Sequence, residues 1–114
     1  MGDVRVKRIY ETPDAGDGFR ILVDRLWPRG MTKERAAVDL WLKDVAPSAE
    51  LRTWWHHVGG KPAEFEERYL AELDRNPALE ELRALARDHD PVTLLFAARD
   101  EEHNHALMLR DLVT

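Results

Sequence analysis

The chain has no cysteine. That excludes disulfides, thiolate catalysis and cysteine-ligated metals together, and it makes a cytoplasmic location the expectation. Serine is nearly as scarce, with Ser48 alone; the sequence has no nucleophile-elbow serine, no phosphate-binding glycine-lysine loop, no dinucleotide-binding glycine fingerprint and no His-Glu-x-x-His. Covalent serine or cysteine mechanisms therefore have nothing to build on. No apolar run approaches bilayer length, so no membrane association is expected. Met1-Gly2-Asp3-Val4-Arg5 lacks the apolar segment of a secretory signal, and none is expected. A basic excess is missing too: the net charge is −5, which argues against general nucleic-acid binding while leaving room for a local arginine cluster that holds one phosphate.

What remains is a chain of 114 residues with 44% hydrophobic and 34% charged content. Those proportions predict one globular domain over 1–114, long enough to bury roughly two-thirds of its unfolded surface around one core. No linker, repeat or low-complexity stretch divides it.

Val4 to Tyr10, alternating β-branched and basic residues, predicts a half-exposed first strand. Pro13, Asp14, Gly16, Asp17 and Gly18 mark a turn-rich connection, and Phe19 to Asp24 a second strand. Thr32 is placed to cap a short helical turn reaching Ala37. Val38, Leu40 and Leu42 then suggest a brief extended segment. Ser48 starts a helix carrying Leu51, Trp54, Trp55 and Val58 at i, i+3, i+4 and i+7, halted by Gly59-Gly60. Pro62 opens the next helix, with Phe65, Tyr69, Leu70 and Leu73 as its stripe. Asn76-Pro77 opens another, carrying Leu79, Leu82, Leu85 and Ala86 as far as His89. Val92 to Ala98 is apolar on both faces, as in a central parallel strand. Asp100 is expected to cap the last helix, with Glu101 and Glu102 in its first turn and Ala106, Leu109 and Val113 facing inward. The fold class is α/β, a small mainly parallel sheet flanked by helices.

One stretch does not fit a core. Asp24-Arg25-Leu26-Trp27-Pro28-Arg29-Gly30 follows the apolar run Ile21-Leu22-Val23 and sets two guanidinium groups, a carboxylate and an indole side by side. Guanidinium forks match carboxylate or phosphate, and an indole offers a stacking face. If the strands ending at Asp24 and before Arg99 run parallel, Arg25, Arg29 and Arg99 gather with Asp24 and Asp100 beyond one sheet edge, where open α/β sheets bind ligands. The competing reading pairs these acids and arginines as loop caps. Trp27 either stacks on a ligand or lids the core, while Trp41, Trp54 and Trp55 read as packing residues.

His56-His57 is not a chelating pair, because adjacent helical side chains diverge by about a hundred degrees; it suits a helix C-terminus. Asp100, His103 and His105 are the candidate metal ligands, although His103 and His105 at i, i+2 face apart on a helix. The acids of that run would also occupy the positive end of the last helix, which argues against a phosphate cradle there. Asp24 and His105 are the candidates for acid–base work.

The run Val23-Asp24-Arg25-Leu26-Trp27-Pro28-Arg29-Gly30 resembles the signature of the YeaO-like branch of the domain of unknown function 488 family. The resemblance extends, in order, through Lys7-Arg8-Ile9-Tyr10, Ala46-Pro47-Ser48-x-x-Leu51-Arg52, Tyr69-Leu70-x-x-Leu73, Thr93-Leu94-Leu95-Phe96-Ala97-Ala98 and Asn104-His105-Ala106. It implies a compact α/β domain, usually bacterial and cytoplasmic, and no reaction. Asp24, Arg25, Trp27, Arg29, Arg52, His57, Tyr69, Asn104 and His105 match its signature positions, without assigned roles. Other branches carry a Cys-His pair near the last strand-to-helix loop, which this chain lacks. Val58 stands where some relatives have an acid, which weakens the case for a His57-carboxylate dyad.

The leading expectation is a domain that binds a small anionic ligand, a nucleotide or other phosphorylated compound, with catalysis left open. Arg25, Trp27, Arg29, Arg99 and Asn104 would contact the ligand, and Asp24 or His105 would orient it or move protons. The alternative is a non-catalytic module that docks a protein partner through the Trp/Arg loop. A metal-dependent hydrolase built on the acid/histidine run is third. No cofactor is strongly implied.

Overall fold

The computed structural model describes residues 3–58, 61–101 and 104–114. The Gly59-Gly60 stop, Glu102 and His103 lie outside the described residues. Four strands, β1 (Val4–Arg8), β2 (Phe19–Leu22), β3 (Leu40–Trp41) and β4 (Val92–Phe96), form one sheet in the order β1-β4-β2-β3. Every pairing is parallel. Among the described residues five α-helices complete the domain: α1 (Lys33–Ala36), α2 (Ala49–Val58), α3 (Pro62–Leu73), α4 (Pro77–Asp88) and α5 (His105–Val113). The α/β architecture read from the sequence is the observed one.

β4 is buried along its whole length, as its unbroken apolar run requires. Val4 pairs with Val92 and Phe19 also with Val92, which fixes the register across the three longer strands. On one face Val4, Ile21, Leu94 and Phe96 join Leu51, Tyr69, Leu73, Leu79, Leu82 and Leu109 of the larger helices in the main core. On the other face a smaller cluster of Ile9, Leu22, Met31, Ala36 and Leu95 is closed by α1 and its loops.

Beside that smaller cluster sits a buried ionic network. Arg20 donates to the Asp17 carboxylate, to Ala36 O at 2.7 Å and to Ala37 O at 3.1 Å. Lys7 Nζ lies 3.1 Å from Asp17, and the Asp14 amide donates to the same carboxylate at 3.0 Å. Burial alone would raise the Asp17 pKa, but the Asp14 amide, Lys7 and Arg20 outweigh it and hold the carboxyl below its ordinary range. Gly18 follows with φ +67°, and a Cβ there would lie 2.1 Å from Pro91 O; only glycine fits this close strand approach.

Helix starts obey their local signals. Thr32, Ser48 and Asn76 accept from the amides of Arg35, Leu51 and Ala78, and Pro62 and Pro77 occupy first-turn positions. Two expectations about the helices fail. Leu70 is 44% exposed, because Phe65, Tyr69 and Leu73, four apart, already form the inward row and Leu70 falls beside it. Asp100 does not cap α5: Asn104 does, accepting from Leu107 N at 3.1 Å, and the first turn holds no acid. No helix among the described residues is long and apolar enough to cross a membrane.

Candidate functional site

β2 and β4 stay paired as far as Val23, whose amide donates to Leu95 O at 3.1 Å. At the next step Ala97 N donates at 2.9 Å to the Asp24 carboxylate, through Oδ2, instead of to a backbone carbonyl. A side chain thus ends the ladder, and the chains leave the sheet on either side of it. Beyond that point lies a cavity of about 550 Å³.

Segments following all four strands contribute to its wall. Tyr10 comes after β1, Asp24 to Arg29 after β2, Ala46 and Pro47 after β3, and Ala97, Ala98, Asn104 and His105 after β4. Helix α2 adds Arg52, Trp55 and His56, and α3 adds Pro62, Phe65 and Glu66. Each trio is spaced i, i+3, i+4, one helical face.

The Asp24–Gly30 loop is held at four points. Arg25 donates to Pro47 O at 3.2 Å and to Ala46 O at 3.1 Å. The Trp27 indole donates to Met31 O at 2.7 Å, and the Trp41 indole to Asp24 O at 2.7 Å. Tyr10 Oη donates to Arg29 O at 3.0 Å. Gly30 ends the loop with φ +72°, a conformation that disfavours any residue with a Cβ. A loop fastened this way presents its side chains without a large ordering cost on binding.

His105 fixes the inner end. Its Nε2 lies 3.0 Å from Val23 O and 3.2 Å from Asp24 Oδ1. A carbonyl only accepts, so Nε2 carries the proton and donates to Val23. The Asp24 separation is within ion-pair range, yet Oδ1 is buried with no hydrogen bond among the described residues. Tyr69 packs edge-on to His105, and its hydroxyl donates to Val45 O at 2.6 Å. Burial, then the nearby Glu72 carboxylate, push its pKa above the ordinary value, so the phenol stays protonated and holds the β3–α2 connection.

Most expected contact residues meet here: Asp24, Arg25, Trp27, Arg29, Asn104 and His105 all line the cavity. Their employment differs. Arg25 is a loop fastener through two of its nitrogens, and the Trp27 indole nitrogen is taken up by Met31 O while its ring lies edge-on to Trp41. Arg29 and Arg52 line the cavity with no carboxylate partner among the described residues.

Arg99 stands outside the wall and is exposed, because the small Ala97 and Ala98 occupy the cavity edge and Arg8 holds Ala98 O at 2.9 Å. His57 is exposed and outside it too. Among the described residues no three His, Asp or Glu side chains gather to hold a metal; His105 is turned toward Val23 and Asp24 instead. Among the described residues the first turn of α5 holds no acid, so the acids expected there are not in that turn.

Trp55 and Phe65, read from the sequence as packing residues, form an aromatic wall with ring centroids 5.1 Å apart. The signal for them was present: two successive helices each carry a polar or charged group and an aromatic at i, i+3, i+4.

A parallel α/β domain with a cavity beyond its strand ends, mixed in arginine and aromatic lining, is the class that fold and site define. Within that class, residues 3–114 match the model of the inactive DUF488-N3 subclade, and the chain belongs to that family. The uncharacterized protein Rv3073c of Mycobacterium tuberculosis is 47% identical over 110 residues, covering 96% of this chain and 92% of that protein. The uncharacterized protein YeaO of Escherichia coli is 43% identical over 109 residues, covering 96% and 95%. The YeaO-like resemblance is therefore the family relationship. No solved structure matches the chain.

Proposed function

We propose that this domain binds a small anionic ligand, such as a phosphate ester or carboxylate with an apolar or planar body, in the cavity beyond β2 and β4. The observation that carries this reading is the pair Arg29 and Arg52, which line a cavity of about 550 Å³ without a carboxylate partner among the described residues. Their charge would meet the anion. Trp55 and Phe65 would face its body, and the volume is that of a small-molecule site. Binding without turnover is the favoured form. The subclade is described as inactive, and the two acid–base candidates already serve the backbone, Asp24 through Ala97 N and His105 through Val23 O.

A thermal-shift and calorimetric screen of nucleotides, phosphate esters and small carboxylates tests it. A ligand at a hundred times its dissociation constant adds about 2.7 kcal/mol, or roughly 10 °C. Arg52→Ala should weaken binding by about tenfold or more. An unchanged shift in both Arg52→Ala and Arg29→Ala would remove the arginines from the site.

One observation favours a second reading. Leu26, 63% exposed on the Asp24–Gly30 loop, is the kind of apolar residue that docks a protein partner. A partner captured by the wild type and lost with Leu26→Ser, at unchanged melting temperature, would support that reading.

A further inference from the structure

The cavity wall is aromatic where the core is aliphatic. Of the chain's four tryptophans, two tyrosines and three phenylalanines, Tyr10, Trp27, Trp55 and Phe65 line it, and Leu26 is its single leucine, isoleucine or valine. The two core clusters are built the other way, mostly from leucine, isoleucine, valine and alanine. A wall that had only to exclude water would be served by those same residues.

Two of the four rings are already engaged. The Arg8 guanidinium stands over the Tyr10 ring, 5.3 Å from its centroid, and Trp27 lies edge-on to Trp41. Trp55 and Phe65 are half-buried, with centroids 5.1 Å apart and planes inclined at 59°. Rings so inclined form a corner, which a third ring fills with its face to one and its edge to the other, the arrangement that aromatic quadrupoles favour. Arg52 lies one turn before Trp55 on the same face of α2, about 4.5 Å along the axis, so an anion held by Arg52 stays close to that corner.

From this we propose that the ligand is an aromatic anion: a flat ring seated between Trp55 and Phe65, carrying a phosphate or carboxylate that meets Arg52 and Arg29. The inference rests on the reading of the cavity as an anion site and names the body of its ligand. Nucleoside phosphates and free aryl acids share this chemistry. Glu66 also lines the wall, an acceptor that the amino group of a base would use and a plain aryl ring would not.

Matched pairs titrated calorimetrically into the full chain decide it: phenyl phosphate against cyclohexyl phosphate, phenylacetate against cyclohexylacetate, and adenosine monophosphate against ribose 5-phosphate. For at least one pair the aromatic member should bind about fivefold or more tightly, the ratio that an aromatic contact supplies beyond its buried area. Trp55→Leu keeps an apolar side chain without a ring, and there the ratio should fall below about twofold while the non-aromatic member binds as before. Phe65→Leu makes the same test from the other wall, should Trp55→Leu lower the melting temperature. A preference confined to the adenosine pair would identify a base, and one confined to the phenyl pairs a free aryl acid.

Equal binding within each pair, or binding only of anions without a ring, would overturn the aromatic body and leave the anion site standing. Binding by none of these probes, nor by any anion in the wider screen, would remove both. A preference that survives in both leucine variants would seat the ring elsewhere and overturn the assignment to the Trp55–Phe65 corner.

Discussion

Asp17 and Asp24 are both carboxylates at the ends of short segments, and the protein uses them differently. Asp17 is enclosed by Lys7, Arg20 and the Asp14 amide, so its pKa is depressed on folding. A depressed carboxyl stabilises the fold above its unfolded pKa, and that contribution fades as pH falls through the lower folded value. Asp17→Asn should therefore cost about 3 kcal/mol at neutral pH, because Arg20 loses its buried partner. The gap to wild type should narrow as pH drops below 3.8, the ordinary value. Urea melts at several pH values measure this; a constant gap would mean that the network contributes through packing alone. Asp24 lacks such enclosure, and its role was half visible in the sequence. The Arg/Trp/Asp run was conspicuous because a core has no use for it. Which arginine is structural and which is available was not, since Arg25 and Arg29 differ only in the Ala46 and Pro47 carbonyls that folding brings to the former.

At the level of elements, helix starts were the most legible features, because a cap and its amide lie within three residues of each other. Thr32, Ser48 and Asn76 were all readable in this way. α5 was misread by four residues, since Asp100 and Asn104 are both competent caps and local chemistry does not choose between them. The choice falls to Asn104, with its side chain accepting from Leu107 N and donating to Asp100 O at 3.0 Å. Asn104→Ala should cost about 1 kcal/mol, lowering the melting temperature by roughly 4 °C; Asp100→Ala should cost less. The reverse order in a thermal melt would return the cap to Asp100. Gly18→Ala tests the strand entry: positive φ and the 2.1 Å approach to Pro91 O should cost more than about 2 kcal/mol, and a neutral effect in chemical denaturation would mean that the turn relaxes freely. Strand ends were read two residues too long: Val23 still pairs with Leu95 O beyond the end of β2, but Asp24, Ala97 and Ala98 carry the apolar or extended pattern onward where the ladder has given way to the cavity.

For the molecule as a whole, the sheet order β1-β4-β2-β3 makes the last strand in sequence a central one. Sequence periodicity identified β4 as buried, but not its neighbours, since strand order depends on contacts between segments far apart in the chain. The same holds for the cavity, whose wall runs from Tyr10 to Met108. No part of the chain could keep this site while the rest came undone. Occupancy would thus be felt in every cooperative unit of the domain. A bound ligand should slow amide hydrogen exchange in the sheet and in α4 as much as around the Asp24–Gly30 loop, so that the domain's slowest-exchanging protons report on a molecule they never touch.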